Sequence, residues 1–248
     1  MSPSPDPMTV DDGTDDVGRI LVVTAHPDDV DFGAAGSVAT WTARGTEVSY
    51  CIATDGDAGG SDHSITRAEM AAIRREEQLA AARAVGVDDV TFLGFADGRV
   101  TPSLELRAAS SRVIRRIRPD RVVAQSPERN WERIYASHPD HLATGEAAAC
   151  AVYPDARNPF AFPELLAEGL AEHTVPELWV MATERANRVV DATEVYPKKL
   201  AALKSHVSQV GDGEHLDELL KGWMGGTALA AGLPDGRLAE AFHVVDTA

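Results

Sequence analysis

Two short segments concentrate the side chains capable of chemistry: Ala25-His26-Pro27-Asp28-Asp29 and His138-Pro139-Asp140-His141. A catalytic zinc takes three protein ligands and keeps a fourth position for water, and two histidines with one carboxylate form such a set. His26, Asp29 and His141 can supply it. Asp28 is then left to take a proton from water, His138 to place positive charge or a proton near a developing oxyanion, and Asp140 to orient His138. His138 and His141 are three residues apart and share a helical face, so spacing alone lets either or both reach a metal. The pattern points to metal-dependent hydrolysis.

Each segment also has an ordinary reading. His-Pro-Asp-Asp after a strand makes a good turn, because Pro fixes φ and Asp accepts local backbone hydrogen bonds. His-Pro-Asp-His makes a good helix start, with Pro in the first turn and Asp placed against the helix dipole. Their joint occurrence, each ahead of an expected helix, favours a shared site.

The elements that must position these residues follow from hydrophobic patterning. Ile20-Leu21-Val22-Val23 reads as a buried parallel strand, which brings His26, Asp28 and Asp29 out at its carboxyl end, where open α/β sheets place their sites. Strands at 19–25, 47–53, 89–94 and 121–125 alternate with helices at 34–44, 66–85 and 103–117. That alternation predicts an α/β fold with a Rossmann-like, mostly parallel sheet flanked by helices. Thr66-Arg67-Ala68-Glu69 is a capping box and Gly86 a stop signal, while Pro119 ends the next helix. A loop at 126–137 precedes a helix at 138–153. An irregular segment at 154–175, strands near 178–181 and 189–190, helices near 194–207 and 214–230 and an edge strand at 240–245 complete the pocket. Residues 1–17, rich in Pro and Asp, read as a disordered leader to a single domain at 18–248.

Composition narrows the partners. Lys and Arg number 23 against 39 Asp and Glu, and this net charge of −16 disfavours nucleic-acid and anionic-membrane surfaces. A small-molecule substrate is the better expectation, and homo-oligomerisation is compatible with the sequence. Cys51 and Cys150 lack metal or redox spacing and read as buried, reduced thiols. Neither a signal peptide nor a membrane-length apolar run is present, which predicts a cytoplasmic protein. Gly33-Ala34-Ala35-Gly36 lacks the G-x-G-x-x-G spacing, which argues against a nicotinamide-dependent dehydrogenase.

The two His-Pro motifs, more than a hundred residues apart, resemble those of the LmbE/PIG-L family of zinc-dependent N-deacetylases. Supporting landmarks run from Ile20 through Thr54-Asp55-Gly56-Asp57, Arg74 with Glu77, and Asp97-Gly98 to Lys204-Ser205-His206-Val207-Ser208-Gln209. The resemblance implies one Zn2+ per chain held by His26, Asp29 and His141, with Asp28 as general base and protonated His138 as the electrophile. It further implies substrate contacts from Arg74 and Asp97, and proximity of His206 to the site. Ordinary readings compete here, since Arg74 lies in a charge cluster that suits a solvated helix face and Asp97-Gly98 suits a turn. Tyr135 departs from the family, standing three residues before His138 where some relatives place a mobile Tyr two before. It is a catalytic or a packing residue. Asp55 and Asp57 read as part of a site-bordering loop rather than a second metal site.

The implied reaction is removal of an N-acetyl group from a small N-acetylglucosaminyl-type compound, in mycothiol-related or natural-product biosynthesis. An amidase of the kind that cleaves mycothiol S-conjugates is the nearest alternative. A non-catalytic, metal-retaining sugar-binding module is a third reading, against which Asp28 counts, because a structural zinc site needs no spare base.

Overall fold

The computed structural model describes residues 8–11, 17–60, 62, 64–211, 213 and 215–248. The apolar runs become strands β1 (Thr9–Val10), β2 (Arg19–Thr24), β3 (Glu47–Thr54), β4 (Asp89–Phe95), β5 (Arg121–Gln125), β6 (Glu177–Met181), β7 (Arg188–Asp191) and β8 (Ala239–Asp246). They form one eight-stranded sheet in the order β1-β7-β8-β6-β5-β2-β3-β4. Neighbours are parallel except β8, which runs antiparallel to β6 and β7. The helices are α1 (Asp29–Gly33), α2 (Ala35–Ala43), α3 (Arg67–Ala84), α4 (Leu104–Ile117), α5 (Pro139–Cys150), α6 (Pro163–Ala167), α7 (Tyr196–Lys204), α8 (Val207–Val210) and α9 (Leu216–Ala230).

The continuous apolar run of β2 has a reason in this layering. Ile20 and Val22 face a core with Val38 and Trp41 of α2, while Leu21 and Val23 face another with Ile114 of α4 and Ala148 of α5. A strand covered on both faces needs apolar residues at every position rather than at alternate ones. The capping box forms as expected, with Thr66 accepting from the Glu69 N–H at 3.3 Å and the Glu69 carboxylate accepting from the Thr66 N–H at 2.8 Å.

The chain leaves β2 for β3 and β4 on one side, then returns to place β5 on the other side of β2. This reversal opens a crevice at the carboxyl ends of β2 and β5, the usual ligand position in such sheets. Both His-Pro motifs enter it, one directly after β2 and the other at the start of α5. Helix α5 reaches β5 through Gly145, where an added Cβ would lie 2.3 Å from the Gln125 carbonyl oxygen. Gly145→Ala is therefore expected to push away the helix carrying His138 and His141. Overpacking of this kind costs about 1–3 kcal/mol, to be read as a lower Tm together with weaker metal retention. An unchanged Tm and metal content would mean that α5 does not depend on this close approach.

Several expectations are corrected. The C-terminal strand is not an edge strand: β8 lies between β7 and β6, with both ladders satisfied. The expected helix at 34–44 forms as α2, and a short helix not expected from the sequence, α1, precedes it, separated by Ala34 with a non-helical φ of −146°. The helix from the second motif ends at Cys150 and passes into a wider turn over Ala151–Asp155. Within the expected leader, Thr9–Val10 pairs with β7, and buried Asp11 accepts from the Trp41 indole at 3.3 Å. Residues 1–7 and 12–16 of that leader lie outside the described residues. Cys51 is buried and Cys150 only partly so; both are free thiols. Among the described residues no helix is long and apolar enough to cross a membrane.

Candidate metal centre

His26 leaves the end of β2 and meets the first turn of α5. Its Nδ1 lies 3.2 Å from His141 Nε2 and 3.3 Å from Asp29 Oδ2, and His141 Nε2 lies 3.0 Å from Asp29 Oδ1. Three donors thus face one another at the separations that ligands of a common tetrahedral ion adopt. The far nitrogen of each ring is engaged. His26 Nε2 meets Asp97 Oδ1 at 3.1 Å and Asp140 Oδ2 at 3.3 Å, and His141 Nδ1 meets the Ala136 carbonyl at 3.3 Å. Such partners fix the tautomer and turn the opposite lone pair toward a metal. His26, Asp29 and His141 could hold a divalent ion between them, and the ring nitrogens of His26, His138 and His141 also lie within 4.8 Å of one another.

The electrostatics favour positive charge at the same point. Burial disfavours the charged form of His26, but the charge of Asp29 and the hydrogen bonds that the ring donates to Asp140, Asp29 and Asp97 outweigh it and raise its pKa to about 12. Asp29 is held well below the usual carboxylate range, because His141 and His26 overcome its burial. The Asp97 pKa is lowered to about 2, with the bond to His26 outweighing burial.

Asp28 occupies strained backbone, with φ at +88°, a region that few non-glycine residues enter. Two residues of α3 hold it there. Gln78 Oε1 accepts the Asp28 N–H at 2.8 Å, while Arg74 Nη2 donates to the Pro27 carbonyl at 2.6 Å and to Asp28 Oδ2 at 3.1 Å. Although Asp28 stands at the N-cap of α1, its carboxylate makes no capping bond and stays available. Burial, then the charge of Asp29, raise its pKa to about 7 against the opposing pull of Arg74.

Other expected site residues take different places. Arg74 is not on a solvated face: it is 4% exposed, in the buried stripe of α3 with Met70 and Gln78. Gly56 and Gly59 make room for it, since a Cβ at either would come within 2.6 or 2.3 Å of Arg74 Nη1. Asp97 spends its carboxylate on His26 and the Ala58 N–H. Asp140 also departs from expectation, because its carboxylate serves His26 and the Gly98 and Val100 N–H groups. What orients His138 is the Asp140 backbone, whose N–H donates to His138 Nδ1 at 3.2 Å. That bond leaves the proton of a neutral His138 ring on Nε2. Burial, then the neighbouring His26 and His141, lower its pKa from the usual histidine value. His206 is fully buried and bonds Asp31 Oδ2 at 2.8 Å. Tyr135 is exposed, and its hydroxyl accepts from Arg133 Nε.

Sequence reasoning missed Gln78 and Asp31, which link the Asp28 backbone to His206 through the 2.9 Å Gln78–Asp31 bond. The spacing of Met70, Arg74 and Gln78 at four-residue intervals was the available signal. Asp55 and Asp57 are committed to Arg75 at 2.9 Å and Arg67 at 2.7 Å, in keeping with a loop rather than a second metal site.

These features define an α/β protein with a two-histidine, one-carboxylate centre at the switch point of its sheet. The chain belongs to the family described as PIG-L: GlcNAc-PI de-N-acetylase, whose model matches residues 21–152. It is 33% identical over 235 residues to the diacetylchitobiose deacetylase of Thermococcus kodakarensis, covering 93% of this chain and 84% of that one. A probable N-acetyl-alpha-D-glucosaminyl L-malate deacetylase 2 of Bacillus anthracis is 31% identical over 199 residues, covering 77% and 81%. The solved N,N'-diacetylchitobiose deacetylase of Pyrococcus horikoshii superposes with a TM-score of 0.86 at 31% identity, covering 94% of this chain and 85% of that one.

Proposed function

We propose that this protein is a zinc-dependent N-deacetylase that hydrolyses the acetamide of a small N-acetylglucosaminyl-type compound. The observation that carries the reading is Asp28, a carboxylate held in strained backbone beside three converging ligands and unused by any cap. A purely structural centre has no need of such a group. The names of the relatives support the acetylated amino-sugar class, and they differ among themselves in what the sugar is attached to.

His26, Asp29 and His141 would hold the ion, which when bound supplies Lewis-acid polarisation and acidifies water. Asp28 removes the proton from the attacking water. Arg74, paired to Asp28 Oδ2, keeps that carboxylate oriented, and Gln78 keeps its backbone in place. His138 donates from Nε2 toward the carbonyl oxygen as negative charge develops there. Asp28 then returns its proton to the leaving nitrogen, giving acetate and the free amine. Asp97 and Asp140 act through His26, whose ring they hold.

The test is release of acetate and free amine from a panel of N-acetylglucosaminyl compounds, with metal content measured alongside. About one zinc per chain, turnover abolished by chelation and turnover restored by zinc are the expected results. Metal retention with no turnover on any amide would favour the sugar-binding module, and cleavage of larger amides alone would favour the amidase.

A further inference from the structure

A second cleft opens beside the metal centre. It has a volume of about 440 Å³, and Asp29 and His141 are among the residues that line it. Met181 from the end of β6 and Leu220 and Met224 from α9 line it as buried side chains, together with Phe32 of α1. Trp223 and Tyr135, both exposed, also line it. The two cationic groups on its wall have partners, and Gln125, Thr183 and Thr227 add polar lining. Lys199 Nζ bonds Glu240 at 2.6 Å and two carbonyls of α1, and the Arg133 guanidinium lies over the Tyr135 and Trp223 rings at 5.5 and 5.6 Å.

The other flank of the centre differs in chemistry. Asp28, Arg74, Asp97 and His138 gather there, and none of them lines the cleft. An amide diverges into two substituents, an acyl group on carbon and the amine-bearing group on nitrogen. A hydroxyl-rich amine half fits the flank of charged and hydrogen-bonding groups; an apolar chain fits the flank of Met, Leu and Phe.

Resting on the deacetylase reading above, we infer that this apolar cleft receives the acyl half of the substrate and is long enough for acyl groups well beyond acetyl. The reaction is unchanged in its balance. The oxygen of water bonds to the acyl carbon, the C–N bond breaks, and the proton passes to the nitrogen, so that N-hexanoylglucosamine yields hexanoate and glucosamine.

The test uses N-acetyl-, N-butyryl- and N-hexanoylglucosamine with the zinc-loaded protein, and the same compounds in binding titrations with the metal-stripped protein. We expect kcat/KM to rise with acyl length by up to about fourfold per buried methylene, and affinity to rise in parallel. Thr227→Trp from α9 and Ala241→Phe from β8 each add bulk at a residue that lines the cleft. Each is expected to lower the hexanoyl-to-acetyl ratio of kcat/KM, and of affinity, at least tenfold; either variant suffices if the other fails to fold.

Cleavage of the acetyl compound with the hexanoyl compound at least 100-fold slower would overturn the acyl assignment and leave the deacetylase reading standing. A gain from octyl N-acetylglucosaminide, but not from longer acyl groups, would also overturn it by assigning the cleft to the aglycone. Failure to cleave any of the amides would instead defeat the deacetylase reading. Binding would then decide the cleft, with equal affinity for acetyl and hexanoyl compounds overturning it.

Discussion

Asp28→Asn is expected to lower kcat by about 10²–10⁴-fold, the range for losing a positioned general base, with metal content unchanged. The substitution is a clean one at this position. Asparagine tolerates positive φ better than most residues, so the strained turn should survive. The backbone bond to Gln78 does not involve the side chain, and Arg74 keeps the Pro27 and Gly56 carbonyls as acceptors. Because Asp28 is not among the three residues proposed to hold the ion, zinc should bind at the wild-type stoichiometry. The measurement is kcat on the best acetylated substrate with metal analysis of the same sample. A variant retaining its metal and turning over within about tenfold of the wild type would remove Asp28 from the reaction.

The second large effect concerns the ligands and the layer behind them. His141→Ala removes one of three donors and should leave the protein with almost no zinc after dialysis, with turnover lost in proportion. Asp97→Asn and Asp140→Asn leave all three donors in place. They weaken the bonds that hold His26 Nε2 at 3.1 and 3.3 Å, and each should cost about 10–100-fold in metal affinity or activity. Since both carboxylates share one N–H of one ring, their effects should not add, and the double variant is the informative one. A double variant that binds zinc as tightly as the wild type would show that His26 is held by its ring packing alone. Asp140→Asn carries a further consequence, because the same carboxylate ties the turn at Gly98 and Val100 to α5. Its Tm should therefore fall more than that of Asp97→Asn.

The sequence by itself determined the elements and the chemical types at their ends. Continuous apolar runs, the capping box at Thr66 and the stop at Gly86 are short-range signals, and a polypeptide obeys them locally. The two His-Pro motifs likewise named residues that converge in space. Which partner each side chain takes was decided only by the tertiary structure. Asp140 reads as a neighbour of His138 along the chain, yet its carboxylate binds His26, 114 residues away. His206 finds Asp31 across 175 residues, and Arg74, in an Arg-Arg-Glu-Glu cluster typical of a solvated face, is drawn inward by carbonyls of two separate loops. The place of β8 inside the sheet and the pairing of β1 with β7 are of the same kind. Periodicity records which face of an element is buried. It does not record what that face meets, because a buried polar group bonds whatever partner the folded sheet brings within about 3 Å.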